Sequence, residues 1–440
     1  MKRLLLLVVL LSAAVMSRAQ MQEEVWTVSS MLATKVIVRA VDPDRSLIYV
    51  EYAGRSRHFV LYDHPAGLVY KHELPVYVDV KDVEVLNGWA YFCADIPLMS
   101  LAIVGQFDIM SLFFGSGQVY YTALDVVFGT MGVQVYETAK IALYDSGSKV
   151  YIYGVGKGEH HYPANPPFSC ATLFHASLDM GTMQWEVCTD YQKGCEIAAF
   201  TDVAVSDNYV AVTAVDHNDT AYVLINDQLG QCDYRFKSYS LHVSVEDAKL
   251  LLTGTDKDWF VLAFQDRWVN QVTFVEFDAQ NPFAVNTYET FPSGTSPYGT
   301  DVFTLTDLRY SPSTANVLLA GEMSLPPYDV FQPWVVEYRW SGAMDSWEEG
   351  NRLHWQTVDG TLWGCRFVVA GIDAYRRVVY GCKDMGQSGM DCHQMIPVLN
   401  TTPLISPTQI WTNHDNAIQY WPSRFYRGHQ DSEAVKYICK

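Results

Sequence analysis

Four aspartates, Asp82, Asp202, Asp247 and Asp307, recur just before or within short apolar runs spaced along most of the chain. Carboxylates brought to one place can hold a hard cation, and Ca²⁺, which takes 6–8 oxygen ligands, is the ion they would suit. Two of them set roughly 5–10 Å apart could instead act as acid and base in glycoside cleavage. The plainer account is that each Asp bonds turn or neighbouring backbone amides, since a residue repeated with a structural unit usually serves that unit. A second group is Glu159, His160 and His161, in a segment that runs through Pro163, Pro166 and Pro167 to Cys170 and reads as a long loop. Adjacent histidines on an extended chain point apart, so a metal there would need a ligand from elsewhere. Asp216-His217-Asn218-Asp219 is a polar turn without the alternating-aspartate order of a calcium loop. There is no GxSxG, HExxH or GxxxxGK[ST] motif.

The elements that carry these residues are strands. Seven times an alternating apolar run, a tight polar turn and a second alternating run recur, with turns at Asp44, Asn87, Ser146, Asp207, Thr255, Ser313 and Ala374. The spacings of 43, 59, 61, 48, 58 and 61 residues average 55. A third run ends in Asp at Asp63, Asp108, Asp179 and Asp278, and there is room for a fourth. Repeats of this length made only of strands predict an all-β fold, a single β-propeller of mostly four-stranded antiparallel blades. Seven blades are expected, with six and an extra hairpin as the alternative. In a propeller the first strand of each blade lines the central channel. The Asp set is therefore expected at one channel mouth, on the face of the 159–170 loop. Residues 20–35 are expected to close the ring as an outer strand. Residues 400–440 read as an irregular aromatic tail or as the completion of the last blade.

Residues 1–19 read as a signal peptide: Lys2 and Arg3, an apolar Leu4–Val15 stretch, then a small-x-small Ser17-Arg18-Ala19. Residues 20–440 are then the propeller domain, exported to the periplasm, cell surface or medium, and no later segment is long and apolar enough to span a bilayer as a helix. Cleavage leaves 27 basic against 49 acidic residues, a formal charge of −22. Such a surface disfavours nucleic acid and suits a neutral glycan or a protein partner. Nine cysteines cannot all pair within one monomer. Cys188–Cys195 is one candidate disulfide; counting across the last hairpin sets Cys382 opposite Cys365, with Cys392 as its other candidate. Aromatic residues make up 14% of the chain. Most should fill the wedges between blades, with Trp363, Trp411 and Trp421 left near loops.

Residues 82–109, which contain Asp82-Val-Glu-Val-Leu-Asn-Gly-Trp-Ala-Tyr-Phe-Cys93 and Ile103-Val-Gly-Gln-Phe-Asp108, resemble a blade signature of exported, uncharacterised propellers of Bacteroidota-type bacteria. Ala94-Asp95 stands where that signature has glycine. The resemblance implies the fold and the compartment and brings no catalytic residues. The chain thus reads as an exported binding or interaction module for a glycan, a peptide or an envelope partner, more a binder than an enzyme. The alternative is a polysaccharide-acting propeller hydrolase or lyase working through the channel carboxylates.

Overall fold

The computed structural model describes residues 22–25, most of 33–354 apart from short connections, the strands between 365 and 396, and 436–438. A short strand β1 (Gln22–Val25) precedes the first blade, β2 (Ala33–Asp42), β3 (Arg45–Tyr52), β4 (Arg57–Asp63) and β5 (Leu68–Leu74). The second blade is β6 (Asp79–Leu86), β7 (Trp89–Ile96), β8 (Leu101–Asp108) and β9 (Tyr120–Ala123). The third is β10 (Gly132–Asp145), β11 (Lys149–His161), β12 (Phe168–Asp179) and β13 (Gln184–Thr189). β14 (Ile197–Val205), β15 (Val210–Asp216) and β16 (Thr220–Asn226) form the fourth with the leading half of β17 (Lys237–Gly254). The trailing half of β17 opens the fifth, with β18 (Trp259–Asp266), β19 (Val272–Asp278) and β20 (Val285–Phe291). The sixth is β21 (Val302–Ser311), β22 (Asn316–Leu325), β23 (Val330–Ser341) and β24 (Ser346–His354).

All these ladders are antiparallel, and the protein is an all-β propeller. Six blades are built from consecutive strands, the smaller of the two expected counts. The seventh hairpin opens a ladder of β25 (Cys365–Ile372), β26 (Val378–Asp384) and β27 (Asp391–Ile396), with no consecutive fourth strand among the described residues. Its outer edge is taken by β1, which pairs β27 on one side and β28 (Lys436–Ile438) on the other. The first strands β2, β6, β10, β14, β17, β21 and β25 contact one another in that order, and β25 returns to β2.

Local chemistry explains the hairpins. Asn87 and Gly88 take φ of 51° and 80°, the left-handed pair that a two-residue turn between twisted strands requires. Asp residues closing the third strands act as turn caps: Asp108 accepts the Met110 amide at 2.9 Å, Asp179 the Gly181 and Thr182 amides at 3.0 and 2.8 Å, and Asp278 the Gln280 amide at 2.8 Å. Aromatic rings fill the wedge between the first two blades, where Phe59 lies 5.8 Å from Phe92 and 4.7 Å from Phe107, centroid to centroid. Glycine makes room for such rings: a Cβ at Gly154 would stand 2.1 Å from the Phe174 ring.

The last hairpin corrects the cysteine count. Ile372 pairs Val378 and a register shift falls between Val369 and Gly371, so Cys365 faces Asp384 and Cys382 faces Phe367. Cys392 faces Gly381 while Cys382 faces Asp391. The longer turn and the irregularity displace the expected Cys365–Cys382 pairing by two positions and the Cys382–Cys392 pairing by one. Elsewhere Cys170 and Cys188 are disulfide-bonded. Cys188 pairs His175, five residues along β12 from Cys170, roughly 16 Å at 3.3 Å per residue. That exceeds disulfide reach, so the two have different partners. Cys195, the expected partner of Cys188, lies outside the described residues, as do residues 1–19, Trp363, Trp411 and Trp421.

Candidate functional site: a charged cavity in the channel

Three of the four expected aspartates meet in the channel. Asp82, Asp202 and Asp307 line a single cavity of about 250 Å³ together with Glu84, Lys140 and Arg309. Asp247 lies in β17, with its side chain outside the described set. A β-bulge positions Asp82, Lys140, Asp202 and Asp307. The register shifts between Val80 and Asp82, Thr138 and Lys140, Phe200 and Asp202, and Leu305 and Asp307. The extra residue bends the strand and re-aims the next side chain. After it comes an aliphatic residue buried between blades, namely Val83, Ile141, Val203 and Leu308.

The bulges also correct the expected position. The inner strands begin three to five residues before each Asp, so the carboxylates sit inside the channel and not at its rim. The cavity runs from them toward Leu86, Leu143, Val205 and Gly254, where the strands enter their hairpin turns. The 159–161 group lies at the other end. His160 pairs Val133, while Lys140 pairs Val155 seven residues farther along β10, roughly 23 Å at 3.3 Å per residue. Residues 159–161 belong to β11 and not to a loop, because the long β10–β11 ladder continues through His161. His160 is buried, shares a 3.1 Å hydrogen bond with Thr172 Oγ1 and stacks on Phe168. Glu159 lies 3.5 Å from His161.

The hydrogen bonds show what the aspartates do for the fold. The inner strand of a blade is an edge strand, with amides that no ladder partner satisfies. Asp82 Oδ2 accepts the Ile141 amide of the next blade at 3.2 Å, and Asp202 Oδ2 accepts the Leu252 amide of the next at 2.9 Å. Asp202 and Asp307 also accept the amides of Val203 and Leu308, at 2.9 and 3.0 Å. Asp95 adds a further link, taking the Thr138 amide and hydroxyl at 2.8 and 2.9 Å. The carboxylates stitch blade to blade.

Sequence reasoning missed the cations that hold this ring. Asp82 Oδ1 lies 2.6 Å from Arg39 Nη2, and Glu84 Oε1 takes both Arg39 Nε at 2.9 Å and, across the channel, Arg309 Nη1 at 3.0 Å. Arg309 Nε is 3.1 Å from Asp307 Oδ1. Lys140 and Asp202 form no ion pair with any described residue. Burial pushes the Asp82 carboxyl up, but Lys140, Arg39, Arg309 and the Ile141 amide outweigh it and hold the group below its ordinary value. At Asp202 burial wins over Lys140 and the two amides, and the carboxyl rises to about 6. Attraction to Asp82, against burial, raises the Lys140 ammonium. A signal for the cations was present: a charged residue precedes the first buried aliphatic at Asp82, Lys140, Asp202, Lys249 and Asp307, alternating in sign.

Asp216 Oδ1 accepts the amides of Asn218 and Thr220 at 2.7 and 2.9 Å, which makes 216–219 a capped turn. Among the described residues no three of His, Cys, Asp or Glu converge as a metal-ligand set. The channel carboxylates spend their oxygens on amides and guanidinium groups. No described helix is long and apolar enough to cross a membrane.

No protein-family model and no curated protein matches the chain. Among solved structures it is similar to a mutant apocarotenoid oxygenase of Synechocystis at 12% identity and TM-score 0.37, covering 59% of this chain and 62% of that one. It is similar to a prolyl endopeptidase at 11% identity and TM-score 0.42, covering 81% and 55%. The WD40 domain of SCAP from fission yeast gives 9% identity and TM-score 0.41, covering 86% and 87%. The chain thus spans less than two thirds of the first two proteins, and likenesses this low carry nothing about its chemistry.

Proposed function

We infer that the protein is an exported propeller that acts as a binding or interaction module, with a small polar ligand or a glycan, peptide or envelope partner received at the channel. The observation that carries this reading is the charged cavity, into which β6, β10, β14, β17 and β21 all feed residues. A propeller supplies such a concave, pre-formed site on a rigid ring, the usual setting for ligand recognition. Export is supported by the leader-like residues 1–19 and by disulfides at Cys170 and Cys188, bonds that persist in oxidising compartments. Kinship with exported propellers of Bacteroidota-type bacteria rests on the blade signature over 82–109. Exposed Tyr77, Tyr121 and Tyr162 offer ring faces to a neutral sugar.

One observation favours catalysis as a second reading: Asp82 and Asp202 have carboxyls driven in opposite directions, as acid–base pairs do. Against it, Asp82 is 1% exposed and both its oxygens are engaged. Thermal scanning against a glycan panel, peptides and divalent cations tests the binding reading. A ligand at 100 times its dissociation constant stabilises by about 2.7 kcal/mol. Turnover of a polysaccharide that Asp202→Asn abolishes would replace the binding reading with the catalytic one. A scan with no shift from any ligand would leave the ring a purely structural component.

A further inference from the structure

We propose that the channel cavity is a site for a small zwitterion of the amino-acid class, its carboxylate seated on Lys140 and its ammonium on Asp202. The proposal rests on the binding reading above and names its ligand class. Asp82, Glu84 and Asp307 each have an arginine within 3.1 Å. The two charges left over are Lys140, with no ion pair or hydrogen bond to a described residue, and Asp202, bonded only to the Val203 and Leu252 amides. Both line the same cavity. They influence one another's ionisation without direct contact. A cation and an anion of this kind, held by separate blades across open space, are complementary to a molecule with one charge of each sign.

Size agrees. The cavity of about 250 Å³ has room for a molecule of amino-acid size. Charge selects as well. A simple anion meets Lys140 but also Asp82, Glu84 and Asp307, and a simple amine meets Asp202 but also Lys140 and Arg309. Each lone charge is opposed where a paired one is not.

The test is calorimetric titration of the full chain with glycine, β-alanine and γ-aminobutyrate, whose charges stand progressively farther apart, beside acetate and methylamine. At least one zwitterion is expected to bind at least tenfold more tightly than both single-charge probes. Lys140→Met and Asp202→Asn are each expected to weaken it at least tenfold, with an unchanged circular dichroism spectrum. The probe comparison needs no variant, so misfolding of either variant leaves the proposal testable. It is overturned if acetate or methylamine binds as well as every zwitterion, if neither substitution alters affinity, or if none of the zwitterions binds. Should a glycan or peptide bind in a Lys140-dependent way while no zwitterion does, the module reading stands and this assignment falls.

Discussion

Asp82→Asn isolates what the channel network contributes. The replacement keeps shape and volume, so no cavity term enters, and it removes one charge from a carboxylate that is 1% exposed. The wild-type group holds Arg39 at 2.6 Å and the Ile141 amide at 3.2 Å. An asparagine can offer an oxygen to one donor, while its NH₂ opposes the other. Breaking one partner of a buried pair costs about 3–5 kcal/mol. Because Arg39 keeps Glu84 at 2.9 Å, the lower end, about 3 kcal/mol, is expected. Scaled over the roughly 290 described residues at about 2.1 cal/mol/K each, that is a fall in Tm of about 5 °C at pH 7. The sign of the pH dependence follows from the depressed folded pKa. The Asp82 contribution is complete above the unfolded carboxylate range and is lost as pH falls through the folded value. The gap between parent and variant should therefore narrow below about pH 4. Thermal melts at several pH values, with Arg39→Met and the double variant, complete the cycle. A fall below 1 °C at pH 7, or strictly additive single and double variants, would refute the reasoning.

Three further outcomes are expected. Asp202 behaves oppositely to Asp82: its folded pKa of about 6 is raised, so its contribution is greatest below the unfolded range and is lost as pH rises through 6. Carbon-13 titration should place its midpoint near 6, among neighbours Asp82, Glu84, Lys140, Asp307 and Arg309, and a midpoint near 4 would contradict the burial argument. Gly156→Ala would set a Cβ 2.0 Å from the Glu137 carbonyl oxygen on the paired strand, whereas Gly88→Ala meets nothing within 4 Å and pays only for its φ of 80°. Denaturant melts should show Gly156→Ala losing more than the ~1–2 kcal/mol expected at Gly88. Cys93 is buried and its thiol is pushed up to about 12, so it should not react with a thiol reagent in the folded protein and should react once unfolded.

The seven hairpins, the two-residue Asn87-Gly88 turn and the Asp-capped third strands were legible because their signals are local. Alternation has a period of two, and left-handed turn residues and Asx caps act within a few positions. The bulges were not legible. Whether Lys81, Ala139, Thr201 or Thr306 is skipped by its ladder depends on how a partner strand and a neighbouring blade compete for the same backbone, and the skip decides where the next side chain points. For the same reason equal counting across the last hairpin failed for Cys365 and Cys382, and the 159–161 segment read as loop though it continues a strand.

By itself the sequence determined a ring of strand hairpins and the Asp positions that recur with them, since both are written in residue type and spacing. The tertiary structure alone decided that Arg309 reaches Glu84 from 225 residues away, that Arg39 neutralises Asp82, and that Lys140 and Asp202 have no ion partner among the described residues while lining one cavity. Charges meet through space, and spacing along a chain carries no information about the far side of a channel until the ring has closed.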